Sequence, residues 1–263
     1  MTREIGEIRH QPTFRDDVPR PVVALGSDYP DGYLIAPHSH RRGQLLYAST
    51  GVVVVTTPDG AWMMPPQRGI WIPPGTVHEV RMLGPVRMRS LYLDAEAARG
   101  MPDHCQALGV PPLMRTLLAE AVTLPREYAP AGRADAIMTL IQHEMRRLPP
   151  LPLSLPLPAN AALARRCRAF VRQPRLHETI DDWSGDLGLS RRSFTRLFRR
   201  ETGLSFVAWR QQACIMAALP RLAAGEPVTA VAIDLGYNNP AAFTTMFRRA
   251  LGSSPGTYLE AKG

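Results

Sequence analysis

The 263-residue chain is 45% hydrophobic and carries 31 basic against 23 acidic side chains. That is enough length and apolar material for two domains with real cores, while Cys105, Cys167 and Cys214 are too widely spaced for a metal knuckle or a disulfide framework. No signal core and no apolar run of membrane-spanning length stands out, so membrane partners are not expected and a reducing cytoplasm is the expected compartment.

Residues 1–20 read as a polar, Pro-interrupted arm. From Val22 to about Leu93 the chain is β-rich. Residues 45–48 and 51–57 are β-branched or aromatic runs, and Pro58-Asp59-Gly60 turns the chain back into residues 61–64. Proline presets such a turn and glycine supplies the positive φ. Residues 69–72 form another short strand, ended by Pro73-Pro74-Gly75, and residues 77–80 and 86–93 follow. Strands at this spacing imply a sandwich or a barrel.

Three histidines fall at two places in this region. The first is Gly32, five residues, His38-Ser39-His40, three residues, Gln44, six residues, Gly51. The second is Pro73-Pro74-Gly75-Thr76-Val77-His78. Residues two apart on a strand share a face, so His38 and His40 should project side by side, with Gln44 able to join them. Three imidazoles and a neutral amide suit Zn, Fe, Ni or Cu and leave a position open. The same side chains could instead be a polar wall that hydrogen-bonds an effector. The barrel mouth is the expected small-molecule site, with Tyr47, Trp62, Trp71 and Tyr92 as candidate lining residues, although aromatics also serve as ordinary barrel core.

These two motifs resemble those of the cupin superfamily of small β-barrels. The first matches at every position except Gln44, which stands where the pattern has Glu. The second matches only at Pro73, Gly75 and His78, with Met82 where the pattern has Asn. The resemblance implies one divalent metal ion held by His38, His40 and His78, with Gln44 as a weak fourth ligand. The lost carboxylate favours the alternative that the cluster is a remnant.

Beyond Asp94 the period changes. Residues 111–121 and 133–148 have helical spacing, and Ile137, Leu140, Ile141, Met145 and Leu148 make an apolar stripe. Such a stripe packs on its own barrel or pairs with another subunit. A two-helix dimerisation element over 101–148, and hence a homodimer, is expected. Residues 149–159 are Pro-rich and should form a semi-rigid extended linker whose leucines dock on one of the domains.

Residues 160–263 hold 15 basic against 8 acidic side chains, a net +7, whereas residues 1–159 hold 16 against 15. Charge concentrated there favours a phosphate-binding surface. Residues 161–173 read as an amphipathic helix with Arg165, Arg166, Arg168 and Arg172 outward. A pattern then occurs twice. Asp186-Leu187-Gly188, Phe194, Phe198-Arg199-Arg200, Gly203 and Trp209 return as Asp234-Leu235-Gly236, Phe243, Phe247-Arg248-Arg249, Gly252 and Tyr258. Each copy reads as helix, Gly-containing turn, helix, with Ser190 or Asn239 as the cap of the second helix. A helix over residues 206–223 joins them, and Pro220 should kink or shorten it.

Leu187-Gly188-Leu189-Ser190, Phe194, Arg196-Leu197-Phe198, Val231-Ala232, Leu235-Gly236-Tyr237, Phe247-Arg248-Arg249 and Ser254-Pro255 resemble the DNA-binding domain of AraC-type transcriptional regulators. With the barrel in front, the implied fold is α+β: a cupin-like sensor barrel over 1–100, the helical segment, the linker, and an all-α domain with two helix-turn-helix units over 160–263. The implied partner is double-stranded DNA. Arg191, Arg192, Thr195 and Arg196 would read bases in the first unit, and Asn239, Ala241, Ala242 and Thr245 in the second. Arg199, Arg200, Arg248 and Arg249 would position phosphates. Only the first unit has side chains able to discriminate bases strongly. The resemblance further implies a small-molecule or metal effector, contact with RNA polymerase as an activator, and no enzymatic activity. A metal-dependent cupin enzyme fused to a DNA module is the rival reading.

Overall fold

The computed structural model describes residues 17–151 and 153–260, without the side chains of the last two; most of the N-terminal arm lies outside them. The chain divides into two units, residues 1–57 with 62–151 and residues 58–61 with 152–263.

The first unit contains β1 (Val22–Tyr29), β2 (Leu34–His38), β3 (Gly43–Thr57), the greater part of β4 (Gly60–Met64), β5 (Arg68–Ile72), β6 (His78–Leu93), β7 (Gln106–Gly109), α1 (Pro112–Ala121) and α2 (Arg133–Met145). Pairs of short strands expected at 45–57 and 77–93 are in fact two long ones, β3 and β6, antiparallel from Gly43↔Leu93 to Thr56↔Glu79. Their register shifts on either side of Thr50, where the strands bend. Before the bend, β6 pairs with β1 and β3 with β5, which pairs with β7. Beyond it, β6 pairs with β2 and β3 with β4. The sheet thereby folds over itself into the cupin-like barrel.

Gly51 makes the bend possible. Its φ is +71°, and a Cβ there would sit 2.5 Å from the Pro85 carbonyl oxygen. Gly51→Ala is expected to lower barrel stability by about 1–3 kcal/mol, seen as an earlier thermal transition. An unchanged midpoint would show that the bend tolerates a side chain.

Strand alternation divides the buried residues between two cores. Leu25, Ser27, Gln44, Leu46, Met88, Ser90 and Tyr92 turn into the barrel. Val22, Ala24, Leu45, Tyr47, Trp71, Leu91 and Leu93 turn out and meet Met114, Leu117, Leu118, Met138, Ile141 and Met145 of the two helices. The apolar stripe therefore packs chiefly on its own barrel. Residues 101–148 are also not wholly helical, because Gln106–Gly109 is a strand. The Pro-rich stretch begins as an addition to that strand: Leu108 bridges Pro150, and Gly109 donates to the Pro149 carbonyl at 2.8 Å. Prolines cannot donate, so this edge pairing rests on the Pro149 carbonyl and on the Leu151 amide, which donates to the Ala107 carbonyl at 2.9 Å. Farther on, Leu153 and Leu155 are buried.

The second unit holds a short strand β8 (Ser154–Pro156), then α3 (Ala161–Arg172), α4 (Ile180–Asp186), α5 (Arg191–Thr202), α6 (Phe206–Ala223), α7 (Val228–Asp234), α8 (Pro240–Leu251) and α9 (Pro255–Glu260). α4–α5 and α7–α8 are the two helix-turn-helix units. Pro220 neither kinks α6 out of existence nor ends it; it lies in the last turn, and the helix continues to Ala223. Burial pushes the Cys167 and Cys214 thiols up to about 12, so both behave as small apolar core residues.

Candidate functional site

The strand register builds one end of the barrel. His38 and His78 are direct partners across β2 and β6, beyond a register shift that follows Ile35. Their ring centroids are 4.3 Å apart. β2 ends at His38, so His40 does not reach its neighbours by strand alternation, as the two-residue spacing suggested. It lies in the next loop, which Gly75 pins by donating to the His40 carbonyl at 2.9 Å. The ring of His40 is 5.2 Å from that of His78 and 6.1 Å from that of His38. One ligand nitrogen from each histidine falls within 4.8 Å of the others.

Backbone carbonyls orient all three rings. Nδ1 of His38 faces the Ala36 carbonyl at 2.9 Å, that of His78 faces Thr76 at 2.8 Å, and that of His40 faces Arg42 at 2.5 Å. A carbonyl can only accept, so Nδ1 carries the proton and Nε2 is left as a lone pair. This is the outer support that histidine ligands ordinarily have. Burial, ahead of the neighbouring rings, lowers the pKa of His78 to about 4 and also lowers that of His38, which keeps both as neutral donors. His78 Nε2 is buried and has no hydrogen-bond partner among the described residues. An orphaned, aimed lone pair beside two others fits a transition-metal ion.

Gln44 is the fourth member. Its Oε1 lies 3.0 Å from His40 Nε2, while its Nε2 donates to Ser90 Oγ at 3.0 Å and Tyr92 Oη at 3.1 Å. The partly enclosed space beside this cluster is about 20 Å³ and is lined by His38, Gln44, His78, Ser90 and Tyr92 among others, with no carboxylate. That volume holds about one water molecule. Of the four aromatics expected to line a pocket, only Tyr92 does. Tyr47 and Trp71 face outward into the core under the helices, and the Trp71 indole donates to the Pro102 carbonyl at 2.8 Å. Both faces of the sheet are buried, so aromatic content alone could not tell them apart. Trp62 is buried but is not among the lining residues.

In the second unit, α5 begins at Ser190, whose hydroxyl accepts from the Ser193 amide, and ends at Gly203 in the left-handed region. Phe194 and Phe198 are fully buried. The opposite face exposes Arg191, Arg192, Thr195, Arg196, Arg199 and Arg200. All but Arg200 line one shallow concavity; Arg200 instead turns to Glu201 at 3.1 Å. Arg191 lies 3.5 Å from Asp181, and Thr195 donates its hydroxyl proton to the Arg191 carbonyl at 2.9 Å. Thr195 can therefore only accept at a base edge while that bond persists. In α8, Phe243 and Phe247 form the buried frame and Ala241, Ala242, Thr245, Arg248 and Arg249 are exposed. Asn239 spends its carbonyl oxygen on the Ala241 amide as the helix cap, leaving its NH2 group as a donor.

The residue that the sequence pattern did not flag is Trp183 on α4. Its ring lies 4.9 Å from Phe206, 5.6 Å from Phe170, 6.0 Å from Trp209, 6.3 Å from Phe198 and 6.4 Å from Phe194. Its indole donates to Glu178 at 2.8 Å. Arg166, expected among the outward arginines of α3, lies 4.5 Å over this ring and pairs with Glu178 and Asp186 at 2.8 and 3.0 Å. No second tryptophan occupies the equivalent place in the other copy, which is why repetition did not expose it.

A histidine-ended barrel joined to two exposed reading helices on buried Phe frames defines a DNA-binding regulator with a ligand-binding domain. The comparisons agree with this class. Residues 20–148 match the AraC-like ligand binding domain, and residues 183–261 match a helix-turn-helix domain model. The chain is 34% identical over 222 residues to the HTH-type transcriptional regulator NimR of Escherichia coli, spanning 84% of this chain and 81% of that one. It is 32% identical over 114 residues to the HTH-type transcriptional regulator RipA of Corynebacterium glutamicum, spanning 43% of this chain and 33% of that one. Among solved structures, ToxT from Vibrio cholerae aligns over 93% of this chain and 100% of its own at 9% identity, with a TM-score of 0.39. The chain belongs to the AraC-type transcriptional regulators, with a cupin-like N-terminal domain. Among the described residues, no helix is long and apolar enough to cross a membrane.

Proposed function

We propose that this regulator is a cytoplasmic, sequence-specific DNA-binding protein controlled by a small-molecule or metal effector bound in its barrel. The observation that carries the DNA reading is the division of α5 into a fully buried Phe194/Phe198 frame and an exposed arginine face. Arg191, Arg192, Thr195 and Arg196 discriminate bases; Arg199, Arg200, Arg248 and Arg249 meet phosphates; Asn239, Ala241, Ala242 and Thr245 make the shorter contacts of the second unit. The protein acts as a homodimer through α1 and α2, whose exposed Leu113 and Leu140 support that use, and meets RNA polymerase at its target promoters. It is not an enzyme; relatives named as transcriptional regulators support that.

In the barrel, His38, His40 and His78 would hold one divalent ion, Zn, Fe, Ni or Cu, with Gln44 as the weak fourth ligand. The ion supplies an exchangeable coordination position. The residues do the rest: the carbonyls of Ala36, Arg42 and Thr76 fix the ring tautomers, and burial keeps His38 and His78 neutral. Effector binding favours one presentation of the DNA domains over another.

Selection of bound genomic fragments should return a shared sequence, and elemental analysis of untagged protein should return about one ion per chain. Fragments without a common sequence would defeat the DNA reading. A folded, metal-free protein that still answers to an effector would defeat the metal reading.

A further inference from the structure

The space beside the histidines, about 20 Å³, has room for about one water molecule or one ion. The residue at the fourth position is an amide, and an amide has a property that a carboxylate lacks. Turned over about its last bond, it keeps its shape and exchanges donor for acceptor. As it stands, Gln44 presents Oε1 to His40 Nε2 and donates to Ser90 and Tyr92. With the His40 Nδ1 proton committed to the Arg42 carbonyl, Oε1 and His40 Nε2 are two acceptors at 3.0 Å, a repulsive pair that a cation reconciles. Turned over, the same amide donates to His40 Nε2 and accepts from the hydroxyls, which rotate to donate or accept. Every polar atom of Gln44 is then satisfied without an ion.

We propose that the effector of this barrel is the divalent transition-metal ion itself, and that Gln44 makes its binding reversible by serving the loaded and the empty pocket in its two amide orientations. This rests on the metal reading above. A glutamate here would complete only the loaded state and would leave a buried carboxylate in the empty one. Ser90 and Tyr92 are the positioning residues of the switch, since both orientations use them.

The test uses the full-length wild type and Gln44→Glu with Zn2+ or Co2+ alone. Wild type should take up about one ion and yield it readily to a chelator. Gln44→Glu should bind tenfold or more tightly, roughly the size of a change in ligand support, and release more slowly. The second measurement needs no variant to fold. The Gln44 side-chain amide signal in the 15N spectrum of wild type should move on Zn2+ loading, as its partner changes from imidazole to hydroxyl. Equal affinity and release in the two proteins, or an unmoved amide signal in metal-loaded wild type, would overturn the proposal and leave the metal site standing. Wild type that takes up no ion would overturn the metal reading itself.

Discussion

Trp183→Ala is expected to cost about 3–5 kcal/mol and to abolish operator binding without touching DNA. The side chain has no exposed surface and sits at the meeting point of Phe170, Phe194, Phe198, Phe206 and Trp209. Removing it leaves a cavity behind the face from which α5 presents its arginines. It also strips Glu178 of its indole donor and Arg166 of the ring it covers. Trp183→Phe should cost far less, because the ring stays and only the N–H is lost, about 1 kcal/mol for that hydrogen bond. Denaturant unfolding followed by circular dichroism checks both, with the DNA-domain transition analysed separately from that of the barrel. An alanine variant losing under about 1 kcal/mol would mean that the cluster repacks and does not anchor the unit.

Arg196→Ala is expected to weaken operator binding by about 1–3 kcal/mol and to relax preference at one base pair, without loss of stability. Arg196 is exposed and shares the concavity with Arg191, Arg192 and Arg199, so its removal deletes a fork of donors and nothing of the core. Arg248→Ala should instead weaken all sequences alike and reduce the salt slope by about one. Comparing the two at several salt concentrations separates base reading from phosphate contact. If both variants behave alike, the assignment of Arg196 to base reading and Arg248 to phosphate contact is wrong.

The helical half of this fold was legible because it is written twice. Phenylalanine spacing, a capping Ser190 or Asn239, and glycines Gly203 and Gly252 at the helix ends fix both units from local signals alone. The barrel was legible as β structure but not in its assignment of faces. A strand packed on one side by helices and on the other by its own barrel shows two buried sets, and Tyr47 is chemically no less suited to line a pocket than Tyr92. β7 escaped notice because Gln106-Ala107-Leu108-Gly109 is too short to show a period and is a strand only because β5 is there to pair with it. The histidines were visible by motif, but His40 joins them through a loop pinned by Gly75, a contact between segments that spacing cannot encode.

The separation of the two faces of α5 and α8 has a consequence for descent. Phe194, Phe198, Phe243 and Phe247 hold the helices in place, and apart from Asn239, which caps α8, and Arg191, which pairs with Asp181, the exposed readers do not share that task. At the remaining readers, operator preference can therefore be rewritten one residue at a time without crossing a stability threshold. Duplicated reading units built this way let one copy keep recognising old sites while the other drifts, so a lineage of such regulators can acquire new target genes by neutral steps.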